Sequence, residues 1–391
     1  MSRRRAHVAM IGVPLVSHVL PSLAVIRELV ARGHRVTYAN DPAVADLVAA
    51  TGAEPVSCPS VLPFADNNWP EDPIAAAALF LDDAEQALPR LRAFYDADPA
   101  DLYLYDIGAY AARALAEAQG RPLMQLSPTF VGWDGYEQDV AVHLRQLPGA
   151  AAYRERFARW LAECGAVTAD VDAFCGHPAR ALALITRAMQ PHADRVDTGA
   201  VTFVGPCFDA AEDAGTWTRP AGAARVLLVS LGSAFTRQPE FYRRCLAAYG
   251  DLPGWHVVLS VGRHTDVSAL GPIPANTEVH PWVPQRAVLA QADAFVTHAG
   301  MGGCSEGLLA GVPMIAVPQA ADQFMNADRL VELGVARRLD TADATAPALR
   351  SALLALTSDP EVARRSGELR AAAGAEGGTA RAADLVEAML N

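Results

Sequence analysis

A chain of 391 residues is too long for one simple hydrophobic core and suits two domains. With 51% hydrophobic and 19% charged residues it has the composition of a soluble globular protein. A net charge of −12 and a pI near 5.3 argue against a nucleic acid or an anionic membrane as partner.

The chain opens on Arg3-Arg4-Arg5 and the apolar run Val8 to Val13, which superficially resembles a signal peptide. Pro14 interrupts that run, and an amphipathic segment follows, so residues 7–13 read as a buried first strand with a basic, solvated start. No apolar run reaches membrane-spanning length. Leu23, Ile26, Leu29 and Val30 recur at helical spacing, with Pro21 in the expected first turn and Gly33 as the stop, which predicts a helix over 21–32. Val36-Thr37-Tyr38 is the next strand, giving a β–α–β unit and hence a parallel sheet. A helix is expected over 41–50, a proline-rich loop over 55–74 and a helix over 75–97. Leu102 to Tyr105 makes a strand that ends on Asp106, then a helix over 109–118 and a strand over 123–126. Aromatic residues crowd 128–190, and 182–185 and 201–204 read as the last strands of this half.

Residues 209–224 carry acidic residues, Pro220 and Gly222 and read as a linker. The predicted domains are therefore 1–208, then 225–375 after the linker, with 376–391 as a terminal helix. Strands are expected at 226–230, 256–261, 277–280, 294–297 and 314–317, alternating with helices. The six cysteines are widely spaced, without the short pairs of a zinc ribbon or redox motif, and free thiols in a cytoplasmic protein are expected.

The stretch Trp282 to Gln323 carries the strongest chemical pattern. Trp282-Val283-Pro284-Gln285 enters it; Ala294 to Thr297 is a strand; His298-Ala299-Gly300 follows, and Met301-Gly302-Gly303-Cys304-Ser305-Glu306 starts a helix that continues to Ala310; and Asp322-Gln323 follows the strand at 314–317. Glycines that admit close approach and unpaired N–H groups at a helix start suit a diphosphate at Gly302 to Cys304. Trp282 offers a flat face for a base, and Glu306, Asp322 and Gln323 offer partners for sugar hydroxyls. For three glycines alone, an ordinary strand–helix turn is the more economical reading.

The full set in this order resembles the donor signature of the family 1 glycosyltransferases, and closely the bacterial macrolide glycosyltransferases of the oleandomycin type. His18-Val19-Leu20-Pro21, the run Val25 to Tyr38, Pro191 to Asp197 and Ser230-Leu231-Gly232-Ser233 share the resemblance, which spans nearly the whole chain. It implies an α/β chain with the GT-B fold: two Rossmann-like domains facing across a cleft, with the C-terminal helix crossing back to the first. By the same resemblance His18 is the catalytic base, at the C-terminal end of the first strand, where open α/β sheets bind ligands. Asp106 would orient its imidazole, although an aspartate there also suits a helix cap. Donor contacts implied are Ser230, Gly232, Ser233, Trp282, Val283, Gln285, His298, Gly300, Gly302, Gly303, Cys304, Glu306, Asp322 and Gln323. Ser17, Trp69, Phe80 and Trp133 are expected at the acceptor.

Two departures stand out: Cys304 replaces the serine usual in the nearest group, and Val16 stands where related enzymes commonly carry another histidine. The implied reaction is inverting O-transfer of a hexose, foremost glucose from UDP-glucose, to a hydroxyl of a hydrophobic natural product such as a macrolide. Neither a metal nor a resident cofactor is called for; the partners are a nucleotide sugar and a small hydrophobic acceptor, with no stable membrane insertion, in a monomer or homodimer. Asp170-Val171-Asp172 spells the motif of metal-dependent glycosyltransferases, but that motif belongs to a different fold. Transfer of a deoxysugar from a dTDP donor and a non-catalytic auxiliary role on the same fold stand as alternatives. A nucleotide-sugar epimerase is disfavoured by the Trp282–Gln323 stretch.

Overall fold

The computed structural model describes residues 5–65, 68–208, 217–232 and 236–390. Arg3 and Arg4, the linker residues 209–216 and Ser233 lie outside the described residues. The chain divides into two compact units: Met1–Thr186 with His192–Phe208 and Gly377–Asn391, and Arg187–Pro191 with Asp209–Glu376.

The first unit is a seven-stranded parallel sheet in the order β3-β2-β1-β4-β5-β6-β7. Its strands are β1 (His7–Ile11), β2 (Arg35–Asn40), β3 (Glu54–Ser57), β4 (Leu102–Asp106), β5 (Leu123–Ser127), β6 (Ala181–Ala183) and β7 (Val201–Phe203). The central strands are apolar on both faces because helices cover both. Along β1, Ala9 and Ile11 join one core with Leu81, Leu88 and Leu91 of helix α2 (Pro73–Tyr95) and with α3 (Tyr110–Ala118). Val8 and Met10 join the opposite core with Val25, Ile26 and Leu29 of α1 (Val16–Ala31).

Sequence and structure differ at two places here. Helix α1 starts at Val16, five residues before the expected start at Pro21, so Pro21 lies inside it. The expected loop over 55–74 overlaps β3, which pairs with β2 in parallel register. The rest of that loop is tied down by carboxylates: Asp41 accepts from the Ser60 N–H at 2.9 Å, and Asp83 accepts from the Ser60 hydroxyl at 2.6 Å and the Val61 N–H at 2.9 Å.

The second unit is a six-stranded parallel sheet in the order β10-β9-β8-β11-β12-β13. Its strands are β8 (Arg225–Ser230), β9 (Trp255–Ser260), β10 (Thr277–His280), β11 (Ala294–Thr297), β12 (Met314–Ala316) and β13 (Ala336–Arg338). Its helices include α4 (Gln285–Leu289), α5 (Met301–Ala310) and α6 (Gln323–Glu332). Trp217 and Arg219 are already tied to this unit, through Glu278 at 2.7 Å and Asp293 at 2.9 Å.

The final helix, α7 (Gly378–Ala388), packs on the first unit. Ala382, Ala383 and Val386 enter the core beside α1, and Arg32 bonds Glu28, Asp384 and Glu387 at 2.6–2.8 Å. The Gly378 N–H donates to the Val204 carbonyl at 2.7 Å. Among the described residues no helix is long and apolar enough to cross a membrane.

Candidate active site

Strand order reverses between β1 and β4 in the first sheet, and between β8 and β11 in the second. Ligands bind outside the carboxyl ends of strands at such switch points. Of the residues singled out in the sequence, His18 and Asp106 stand at the first of these places, and Ser230, Gly232, His298 and Gly300 at the second.

In the first unit the register pairs Ile11 with Tyr105, so β1 and β4 end side by side. The chain leaves β1 through Gly12 to Leu15 and enters α1, whose third residue is His18. Asp106 ends β4. His18 Nδ1 lies 3.0 Å from Asp106 Oδ1 and 2.9 Å from Oδ2. A carboxylate only accepts, so Nδ1 carries the proton and the lone pair falls on Nε2. Asp106 is buried, whereas the His18 side chain keeps 20% exposure, so the imidazole is reachable and its partner is sealed. Asp106 Oδ1 also accepts from the Gly108 N–H at 2.8 Å, so the same side chain shapes the β4–α3 turn. It does not cap α3, whose N-cap position is Ala109.

Ser17 is exposed one residue before His18. Pro21 has no N–H to give the Ser17 carbonyl, so that carbonyl lacks its helical partner. Phe80 lies against the same turn: a Cβ at Gly108 would stand 3.1 Å from its ring and 3.3 Å from Asp106 Oδ1. Trp69 stacks on Phe80 at 5.7 Å, and Tyr110 tilts against it at 6.4 Å. Tyr110 was not among the sequence candidates, although it follows Asp106 by four residues and opens α3. Trp133 keeps other company: it is buried, its indole donates to Asp139 at 2.9 Å, and its ring meets Tyr136 and His192.

In the second unit the register pairs Thr297 with Ser230. Beyond Ser230, Gly232 turns at φ +74° and donates to Ser230 Oγ at 3.3 Å. Beyond Thr297 come His298, then Ala299 at φ +60°, then Gly300 as N-cap of α5. Helix α5 starts at Met301, within the stretch expected to start it, so the glycines form its first turn. No side chain caps α5. Its first-turn N–H groups have no helical carbonyl to bond. Cys304 is fully buried and its N–H already donates to the Gly300 carbonyl at 3.0 Å. Burial also pushes the Cys304 thiol well up, with the Asp322 charge adding to it, so the thiol stays neutral. The available donors are thus Met301 to Gly303, one residue earlier than Gly302 to Cys304.

His298 is wedged between two glycines. A Cβ on Gly232 would lie 2.5 Å from its Cε1, and one on Gly300 would press closer still on Nε2. Burial lowers the His298 pKa to about 4, so the ring is neutral at physiological pH, and its buried Nδ1 has no hydrogen-bond partner among the described residues. Gly300→Ala should therefore displace His298 without straining the backbone, since φ at Gly300 is −64°. The expected result is a destabilisation of about 1–3 kcal/mol from overpacking, with donor affinity at least about tenfold weaker by calorimetry.

Trp282 is 67% exposed just past β10, while Val283 beside it is buried. Gln285 opens α4 and its amide donates to Glu306 on α5, so two residues picked out separately form one polar pair. Gln323 is buried; its Oε1 accepts from the Gln319 and Ala320 N–H groups at 2.8 and 3.1 Å and so shapes the turn before α6. Asp322 is exposed at the start of α6 and accepts from Asn326 at 3.0 Å. Asn326 was not a sequence candidate; its only signal is the four-residue spacing from Asp322, which puts both on one helix face.

Asp172 of the Asp170-Val171-Asp172 motif is held by Arg145 and Arg154 at 2.6 and 2.5 Å, and Asp170 caps the helix that follows it. Among the described residues no three His, Cys, Asp or Glu side chains form a cluster with metal-ligand geometry.

The profile of the family described as UDP-glucoronosyl and UDP-glucosyl transferase matches residues 201–366. An oleandomycin glycosyltransferase of Streptomyces antibioticus is 55% identical over 98% of this chain and 91% of its own. A demethyllactenocin mycarosyltransferase of Streptomyces fradiae is 30% identical over 100% of this chain and 88% of its own. Among solved structures, the glycotransferase of kitacinnamycin aligns with a TM-score of 0.92 at 51% identity, over 100% of both chains.

Proposed function

Because this chain belongs to the UDP-glucuronosyl and UDP-glucosyl transferase family and has its GT-B fold, we propose that it moves a hexose from a nucleotide sugar to a hydroxyl of a macrolide-like natural product, with inversion. It is a sugar-nucleotide-dependent glycosyltransferase. The observation that carries the finer reading is the His18–Asp106 pair, 2.9 Å apart at the switch point of the first sheet.

In this reading Nε2 of His18 takes the proton from the acceptor hydroxyl as its oxygen attacks the anomeric carbon. Asp106 stabilises the imidazolium that forms. The bond to the diphosphate breaks on the opposite side, and the leaving anion is met by the first-turn N–H groups of α5 and by neutral His298. No metal is required for that stabilisation. Trp282 stacks on the base, the Gln285–Glu306 pair takes the ribose, and Asp322 with Gln323 takes the hexose. Trp69, Phe80 and Tyr110 give the acceptor an aromatic wall beside the base. UDP-glucose is the donor we favour, since an Asp–Gln pair suits a fully hydroxylated hexose and the matching family is described as UDP-glucoronosyl and UDP-glucosyl transferase.

The test incubates the protein, with and without EDTA, with UDP-glucose or a dTDP-deoxysugar and a panel of macrolides, flavonoids and other phenols, read by mass spectrometry. The expected result is a hexosylated macrolide, unaffected by EDTA, with nucleoside diphosphate released only when acceptor is present. Turnover confined to the dTDP-deoxysugar would move the donor to that class, as the 30% identity to a mycarosyltransferase also allows. Donor binding with no transfer to any acceptor would favour an auxiliary role.

A further inference from the structure

Asn326 is a fully buried amide near the start of α6. Both of its N–H bonds are used. One goes to the Ala299 carbonyl and one to Asp322 Oδ2, each at 3.0 Å. Its Oδ1 is buried and has no hydrogen-bond partner among the described residues. Both partners can only accept, so the amide orientation is fixed and the residue serves as a double donor.

The two acceptors matter because of where they stand. Ala299 is fully buried in the left-handed region at φ +60°, a costly place for a residue with a Cβ. It lies between His298 and Gly300, the N-cap of α5. Its peptide groups are held at both ends, the N–H by Thr297 Oγ1 at 3.1 Å and the carbonyl by Asn326. A rotation there would swing His298 and the first N–H groups of α5 together. Asp322, the other acceptor, is the exposed carboxylate at the start of α6.

We infer that Asn326 is a positioning residue that sets the diphosphate end and the hexose end of the donor subsite in register, by clamping Ala299 in its left-handed conformation and aiming the Asp322 carboxylate. This rests on the donor site proposed above.

The test compares Asn326→Leu, which keeps the bulk and removes both donors, with wild type on the full chain by calorimetry. The probes are uridine, UDP and UDP-glucose, or the thymidine series if wild type takes that one. Uridine affinity should stay within about twofold, UDP should bind about tenfold more weakly, and UDP-glucose should lose more than UDP, because only the sugar reaches Asp322. Ala299→Gly removes the left-handed penalty. Adding it to Asn326→Leu should bring UDP to within about threefold of wild type while the extra loss for UDP-glucose remains. Asn326→Ser, which keeps one donor, carries the same comparison if the leucine variant does not fold.

Equal losses for all three probes would mark a general folding defect and overturn the proposal. So would unchanged affinity for UDP-glucose, or no recovery of UDP binding in the glycine background. A wild-type chain that binds neither UDP-glucose nor a dTDP-sugar would remove the donor site itself, and this proposal with it.

Discussion

Replacing His18 by alanine is expected to slow sugar transfer by about 10²–10⁴-fold, the range a positioned general base contributes, with nucleotide-sugar affinity changed by no more than about twofold. The separation follows from topology. His18 and Asp106 stand at the β1/β4 switch point, whereas the residues assigned to the donor stand on the second sheet. Asp106→Asn should slow the reaction in the same way, since the carboxylate acts by fixing the Nδ1 proton. The double variant should then cost little more than His18→Ala alone, because the pair works as a unit. Asp106→Ala should also cost about 1 kcal/mol of stability by leaving the part-buried Gly108 N–H bond unmade, which thermal unfolding would register separately. Single-turnover rates beside calorimetric donor binding give the split. His298 is neutral down to about pH 4, so an acid limb of the rate near neutrality reports another group. The rate of His18→Ala should be low across that whole range. Full turnover in that variant would remove His18 from the mechanism.

Strand positions were legible in the sequence because a central parallel strand is apolar on both faces and short, and the turn after it is where function collects. Leu102 to Asp106 and Ala294 to Thr297 were read nearly to the residue for that reason. Helix starts were less legible. Pro21 suits a first turn, yet the helix begins at Val16 and runs through it, because Val19, Ala24, Val25, Ile26 and Leu29 bury one continuous face. Gly303 and Gly307 lie inside α5, and the reason for glycine at these two positions is packing. A Cβ at Gly303 would lie 3.0 Å from Thr297 Oγ1, and one at Gly307 would lie 2.5 Å from Met314 Sδ. Close approach of α5 to β11 and β12, which no local propensity encodes, demands those glycines. The same holds for the site. The sequence offered Gln285, Glu306, Asp322 and His298 one by one, but not that Gln285 bonds Glu306 or that Asn326 bonds Ala299 across 27 positions. Pairings at such separations are set by how the elements pack, and spacing rules reach only one helix face.

A charge introduced at Gly302 should push stability and donor binding in opposite directions. Gly302 is exposed in the first turn of α5, and a Cβ there would meet nothing within 4 Å. Gly302→Asp therefore carries no steric cost. A carboxylate near a helix N-terminus stabilises the helix by about 0.3–1 kcal/mol, so the unfolding temperature should hold or rise. The same carboxylate would stand where the donor diphosphate is proposed to sit. Two like charges about 5 Å apart at an effective dielectric of about 20 repel by about 3 kcal/mol. Donor affinity should fall by at least about 100-fold. Gly302→Asn, of the same size but neutral, should lose far less, which separates charge from bulk. Raising the salt concentration should recover part of the binding in the aspartate variant, because exposed charges are screened. Equal affinities for the Asp and Asn variants would mean that the diphosphate does not sit at this helix start. In that case the free N–H groups of α5 would need another explanation, and the exposed face of Trp282 would no longer point to a nucleotide.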